Sequence, residues 1–124
     1  MKMNVQAFFC AVLAQDAQAL RAFFQKDAVV EWPCTNERFA LDEYIRANCE
    51  YPGEWDGELE RVVETPDGLI MACRVYPKNG RDSFHAVSFV KLDEGKIASM
   101  TEYWADDGPA PLWRKEMQIG TPIK

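Results

Sequence analysis

Basic side chains are scarce in this sequence: Lys and Arg total 14 against 20 Asp and Glu, a formal net charge of −6. They form no cluster, so the chain lacks the electrostatic footprint of a protein that binds nucleic acid or an anionic membrane surface. Histidine is rarer still. His85 is the only one in 124 residues, and without a Cys/His cluster a structural zinc has no ligands. Cysteine is sparse and scattered. Cys10, Cys34, Cys49 and Cys73 make no C-x-x-C pair and sit among apolar neighbours, so they read as small buried hydrophobes rather than a disulfide framework. No glycine opens a helix, and no Ser/His/Asp or Cys/His arrangement occurs. Phosphate-loop and dinucleotide sites are thereby excluded, and neither cofactor nor metal is expected. No apolar run approaches the length of a membrane span. Near the N-terminus, Lys2, the run Ala7 to Ala14 and Ala17-Gln18-Ala19 imitate a signal peptide. Asn4 and Gln6 interrupt that run and the helical pattern continues beyond it, so the expectation is a helix of a cytoplasmic protein.

What is present is the composition of one globular domain, residues 1–124, with 48% apolar and 27% charged residues. Val5, Phe8, Phe9, Val12 and Leu13 form the stripe of an amphipathic helix, with Asn4 placed to cap it. Asp16 caps a second, shorter helix carrying Ala17, Leu20, Phe23 and Phe24. Ala28 to Trp32 is a short strand ended by Pro33, and Leu41, Tyr44, Ile45 and Cys49 mark a third helix. Four strand-like runs follow: Gly57–Thr65, Leu69–Pro77, Asp82–Leu92 and Ile97–Trp104. Pro66-Asp67-Gly68, Lys78-Asn79-Gly80 and Asp93-Glu94-Gly95 separate them, each ending in a glycine that suits a tight hairpin. Helices followed by an antiparallel meander predict an α+β domain with helices on one sheet face. The tail from Asp106 holds Leu112, Trp113, Met117 and Ile119. It is too apolar to hang free, so it is expected to pack on the body or on a partner subunit.

Two stretches carry a family resemblance. Asp16-Ala17-Gln18-Ala19-Leu20 leads through Phe24 to Asp27-Ala28-Val29-Val30-Glu31, and Asp93-Glu94-Gly95-Lys96-Ile97 runs into Glu102-Tyr103-Trp104-Ala105-Asp106. In this order they resemble the nuclear transport factor 2-like superfamily, in its SnoaL-like (polyketide cyclase-like) branch. The resemblance implies a cone: a curved antiparallel sheet wrapped around about three N-terminal helices, with an apolar pocket at its open end. It also implies dimerisation through the outer sheet face in many members. Gly68 to Tyr76 is similar to a strand of limonene epoxide hydrolases, where an Arg lies between two catalytic aspartates. Arg74 matches that Arg, and Glu102 matches one acid with a methylene added. The other acid falls at Tyr76, and the water-holding Tyr and Asn fall at Val30 and Trp32.

Hairpin register decides which strand residues share the pocket. A two-residue turn at Asn79-Gly80 sets Arg74 opposite His85. A three-residue loop at Lys78-Asn79-Gly80 sets it opposite Phe84. The second register agrees with the resemblance and, with three-residue loops at the other two glycine turns as well, gathers Glu60, Arg74, Tyr76, Phe84, Met100, Glu102 and Trp104 on the concave face. Arg61, Cys73, Val75, His85, Val87, Phe89, Thr101 and Tyr103 then form the outer face, where a second copy is the economical cover. Trp32, Tyr51 and Trp55 join Glu60, Phe84, Met100 and Trp104 as candidate ligand-binding residues.

Glu102 is the candidate proton shuttle, since a carboxyl among apolar rings is raised by desolvation and lowered again by a nearby Arg74. Arg74 and Tyr76 are expected to orient or polarise the substrate. The first functional reading is cofactor-free acid–base chemistry, an isomerase, cyclase or hydrolase acting on a small apolar molecule. The second is a non-catalytic ligand-binding or dimeric scaffold, in which a Glu102–Arg74 pair only fixes the sheet.

Overall fold

The computed structural model describes residues 2–124. Helix α1, Val5–Ala14, begins where the Asn4 side chain accepts from the Ala7 N–H at 3.0 Å. It ends at Gln15, whose left-handed backbone turns the chain. Asp16 accepts from the Ala19 N–H at 3.1 Å and starts α2, Ala17–Arg21. These are the two caps the sequence predicts. Strand β1, Phe24–Trp32, is longer than expected. A 3₁₀ turn at Pro33–Thr35 reverses the chain into β2, Glu37–Ala40, which has no counterpart in the sequence reading. Helix α3, Leu41–Cys49, buries Leu41, Tyr44 and Ile45. The four long strands follow as β3 (Trp55–Thr65), β4 (Gly68–Pro77), β5 (Phe84–Asp93) and β6 (Lys96–Asp106), then a short helix α4, Leu112–Glu116.

The expected meander is the larger part of a six-stranded mixed sheet, ordered β2-β1-β6-β5-β4-β3. Strand β1 lies parallel to β6 and the other pairs are antiparallel. Glu94 and Gly95 both take positive φ between Asp93 and Lys96, the backbone of a two-residue hairpin turn. Helix α1 packs against β3 over Gly57, where a β-carbon would stand 2.6 Å from the Arg74 carbonyl oxygen and 2.9 Å from the Phe9 ring. Any larger residue there would push the helix off the sheet. Phe8, Phe9, Leu20, Phe24, Tyr44, Ile97 and Met100 fill the space between helices and sheet. Truncating Phe8 or Phe9 to Ala would cost about 3–5 kcal/mol. No helix among the described residues is long and apolar enough to cross a membrane.

Three expectations are corrected. The register between β4 and β5 sets Arg74 opposite His85 and Val75 opposite Phe84, which is the register of the two-residue turn. The link itself runs from Lys78 to Ser83, because β5 starts at Phe84. A bulge between Leu59 and Arg61 displaces Glu60, so Glu58 is the residue opposite Arg74. Cys73 and Val75 therefore face inward, while Arg74 and Tyr76 face outward with His85. Second, Cys10 and Cys34 are exposed; Cys49 is half-buried and only Cys73 is buried. Third, the tail does not bury itself on its own body. Leu112, Trp113, Met117 and Ile119 are each more than half exposed, and Arg114 lies over the Trp113 ring.

Candidate active site

The open end of the sheet and the first and third helices enclose a cavity of about 240 Å³. Phe8, Phe9, Val12 and Leu13 contribute from α1, and Tyr44, Ala47 and Asn48 from α3. The sheet contributes Cys73 and Val75, then Phe84, Ala86 and Ser88, then Glu102, Trp104 and Asp106. Strand alternation explains the choice, since residues two apart on adjacent strands share a face. Gln15 ties the rim together by donating to the backbone oxygens of Asn48 at 2.9 Å and Tyr51 at 2.7 Å. Asn48 in turn donates to the Val12 carbonyl at 3.1 Å.

Glu102 is the chemical centre of this cavity. The Trp32 indole N–H donates to Oε1 at 2.9 Å, and the Ser88 hydroxyl donates to Oε2 at 2.6 Å. Burial pushes the Glu102 carboxyl above its ordinary range, against the lowering effect of those two hydrogen bonds. Tyr44 lines the same cavity, and burial together with the Glu102 charge raises its phenol well above the usual value. It stays protonated and can donate a hydrogen bond. Burial likewise pushes the Cys73 thiol up to about 12, which leaves it un-ionised and a poor nucleophile. The arrangement sets the Glu102 carboxyl, held by two donors, in a largely apolar chamber.

Of the sequence-predicted residues, Trp32, Tyr51, Trp55, Phe84, Glu102 and Trp104 all line the cavity. Met100 shares their face but lies in the core beneath, 1% exposed. Arg74, Tyr76 and Glu60 stand apart from them, outside. The Arg74 guanidinium lies 4.7 Å from the centre of the Tyr76 ring and within 3.8 Å of Glu58 and Asp107. His85 joins this outer group, between Asp107 on Nδ1 and Glu60, 3.3 Å from Nε2. The anticipated Glu102–Arg74 pair does not form, since one-residue alternation sends them to opposite faces. Sequence reasoning missed Ser88 and Tyr44. Alternation from Phe84 could have found Ser88; Tyr44 fits the buried stripe of α3 and gave no separate signal. Among the described residues, no group of three or more His, Cys, Asp or Glu side chains is gathered to hold a metal ion.

A curved mixed sheet closing over helices to leave an apolar chamber with one buried acid defines an α+β cone of the nuclear transport factor 2-like kind. Residues 5–100 match the SnoaL-like domain family, and the chain belongs to that family. Among solved structures, a candidate ketosteroid isomerase from Kribbella flavida is similar with a TM-score of 0.78 and 22% identity, over 97% of this chain and 88% of that one. An NTF-2-like protein of unknown function from Burkholderia xenovorans gives 0.77 and 25%, over 97% and 92%. An LEH-like epoxide hydrolase from M. tuberculosis gives 0.65 and 17%, over 82% and 79%. No curated protein matches the sequence.

Proposed function

We propose that the chain catalyses cofactor-free proton transfer on a small, mainly apolar molecule held in the cavity, with Glu102 taking up and returning the proton. Trp32 and Ser88 hold the carboxylate in place, and the Tyr44 hydroxyl is available to polarise the substrate. The observation that carries this reading is the position of Glu102: it opens on a chamber and has no basic partner among the described residues. A carboxyl raised above its ordinary range by burial and facing a substrate-sized space is suited to general acid–base work. Isomerisation, cyclisation and hydrolysis share this step. The second reading, a non-catalytic binder, uses the same chamber and finds support in the two donors that already satisfy Glu102.

Deuterium uptake separates the readings. The protein is incubated in D2O with cyclohexanone and with the cyclic amino ketone tropinone, and exchange at carbon is followed by NMR. Faster exchange with the wild type, reduced about a hundredfold in Glu102→Gln, is the expected result. Exchange equal in the two proteins would overturn the catalytic reading. The working unit we infer is a homodimer paired through the outer sheet face, where Phe89 and Tyr103, each 47% exposed, stack edge to face at 6.0 Å.

A further inference from the structure

We infer that the occupant of this cavity carries a nitrogen cation: the chamber is built for an alkylammonium group set on an apolar body. The inference rests on the reading of the cavity as a ligand site and adds the chemical class of the ligand.

Three observations converge on it. The first is a charge without a counter-charge. Buried carboxylates in proteins are ordinarily paired with a cation, yet Glu102 is held only by the neutral donors Trp32 and Ser88. Among the described residues no Lys, Arg or His lines the cavity. Arg74 and His85, the cations nearest in sequence pairing, belong to the outer face and are engaged there by Glu58, Glu60 and Asp107.

The second observation is the wall. Trp32, Trp104, Phe84 and Trp55 line the chamber, and all but Trp32 belong to one series of neighbouring rings. Tyr51 stacks on Trp55 at 5.2 Å, Trp55 meets Phe84 at 6.1 Å, and Phe84 meets Trp104 at 6.5 Å. Aromatic faces carry negative potential and attract ammonium groups once water is excluded, an attraction strongest for tryptophan. The third is the second acid. Asp106 stands two residues beyond Trp104 on the same face of β6 and is part of the lining. Two carboxylates and several aromatic side chains, with no Lys, Arg or His in the described lining, repel an anionic ligand. A neutral ligand would leave Glu102 unpaired. A cation would neutralise it while its alkyl substituents pack against the rings.

Choline and its uncharged carbon isostere, 3,3-dimethylbutan-1-ol, have nearly the same shape and differ in charge. Each is titrated into the wild type and into Glu102→Gln, with the Trp32 indole N–H resonance as the reporter of occupancy. Choline is expected to bind about tenfold or more tightly than the alcohol in the wild type. In Glu102→Gln that preference should collapse while the alcohol keeps its affinity, which also shows that the variant retains its chamber. Equal binding of the two probes by the wild type, or a preference that survives in Glu102→Gln, would overturn the cation inference and leave the ligand site standing. Failure of both probes to move the Trp32 resonance at tens of millimolar would overturn the ligand site and the cation inference together.

Discussion

Ser88 and Glu102 face each other across β5 and β6, and the serine hydroxyl donates to the carboxylate at 2.6 Å. Ser88 is 1% exposed. A hydroxyl so deep in an apolar strand has no solvent to satisfy it, and Glu102 is its partner. The pair gives the cavity its chemistry, because the hydrogen bond opposes the desolvation that raises the carboxyl.

Replacing Ser88 with Ala removes one of the two lowering hydrogen bonds and leaves that of Trp32 and the desolvation in place. The Glu102 carboxyl should then titrate at still higher pH. Any proton-transfer activity should fall by about tenfold at neutral pH, the scale of one hydrogen bond to a charged group. Its acidic limb should move to higher pH, because Glu102 must be ionised to take up the proton. A pH–rate profile of Ser88→Ala identical to wild type would contradict this coupling.

Much of the fold was legible in the sequence, for identifiable reasons. Helix caps are local, so Asn4 and Asp16 could be read without knowing what the helices pack against. Strands β3 to β6 alternate clearly and are divided by turn residues. Strand β2 has only four residues, too few to show a period. The parallel pairing of β1 with β6 leaves no turn signature, because the paired segments are far apart in the chain. The site was legible on one side only. Residues of β5 and β6 fall on the expected face because a bulge between Lys91 and Leu92 offsets the two-residue Glu94-Gly95 turn, where a three-residue loop was expected. Those of β4 were reversed, because a one-residue difference in the link to β5 exchanges the faces of Cys73 and Arg74. The displacement of Glu60 comes from a bulge, which alternation does not reveal.

His85 provides a measurable test of the outer-face cluster. Its hydrogen bond with Asp107 raises the imidazole above its ordinary value of 6.5, with further help from Glu60. The stabilisation is fully present below the unfolded value and is lost as pH rises through the raised folded value. NMR titration of the single histidine should give a midpoint above 6.5, and Asp107→Asn should lower it. An unshifted midpoint in the wild type would place His85 away from Asp107.

The outer face makes the case for pairing. Phe89→Arg combined with Tyr103→Arg puts two charges into the proposed interface, and light scattering should then return the monomer mass where the wild type returns twice that mass. Removal of the chain after Asp107 is expected to weaken pairing rather than unfold the protomer, because Leu112 and Trp113 are exposed on a single copy. A wild type that scatters as a monomer at micromolar concentration would refute the interface.

Thiol chemistry checks burial residue by residue. Cys10 and Cys34 are exposed and should react readily with an aromatic disulfide reagent in the native protein. Cys73 is buried and its thiol is pushed up to about 12 by desolvation. It should react only after denaturation. Rapid native labelling at Cys73 would mean that the inner face of β4 is more open than its burial implies.

Glu102→Gln separates a catalytic acid from a structural one by the sign of its effect on stability. Gln keeps the shape of the side chain, an oxygen to accept from Trp32 and an amide to face Ser88. Because Arg74 lies on the other face, no buried cation loses its partner. Burial raises the folded carboxyl above its ordinary value of 4.5, so the folded state holds a proton that the unfolded chain has already released. Stability contributed by Glu102 is therefore greatest below the unfolded value and declines as pH rises through the folded one. Above that range the wild type carries the full cost of a buried charge, and Gln carries none. At neutral pH the variant should melt at the same temperature as wild type or higher, while proton-transfer activity falls by about a hundredfold. The wild type should lose stability as pH rises from the unfolded value through the raised folded one, and the variant should lack that decline. A variant that melts well below the wild type at neutral pH would show that the charge itself holds the sheet together, and the role of Glu102 would then be structural.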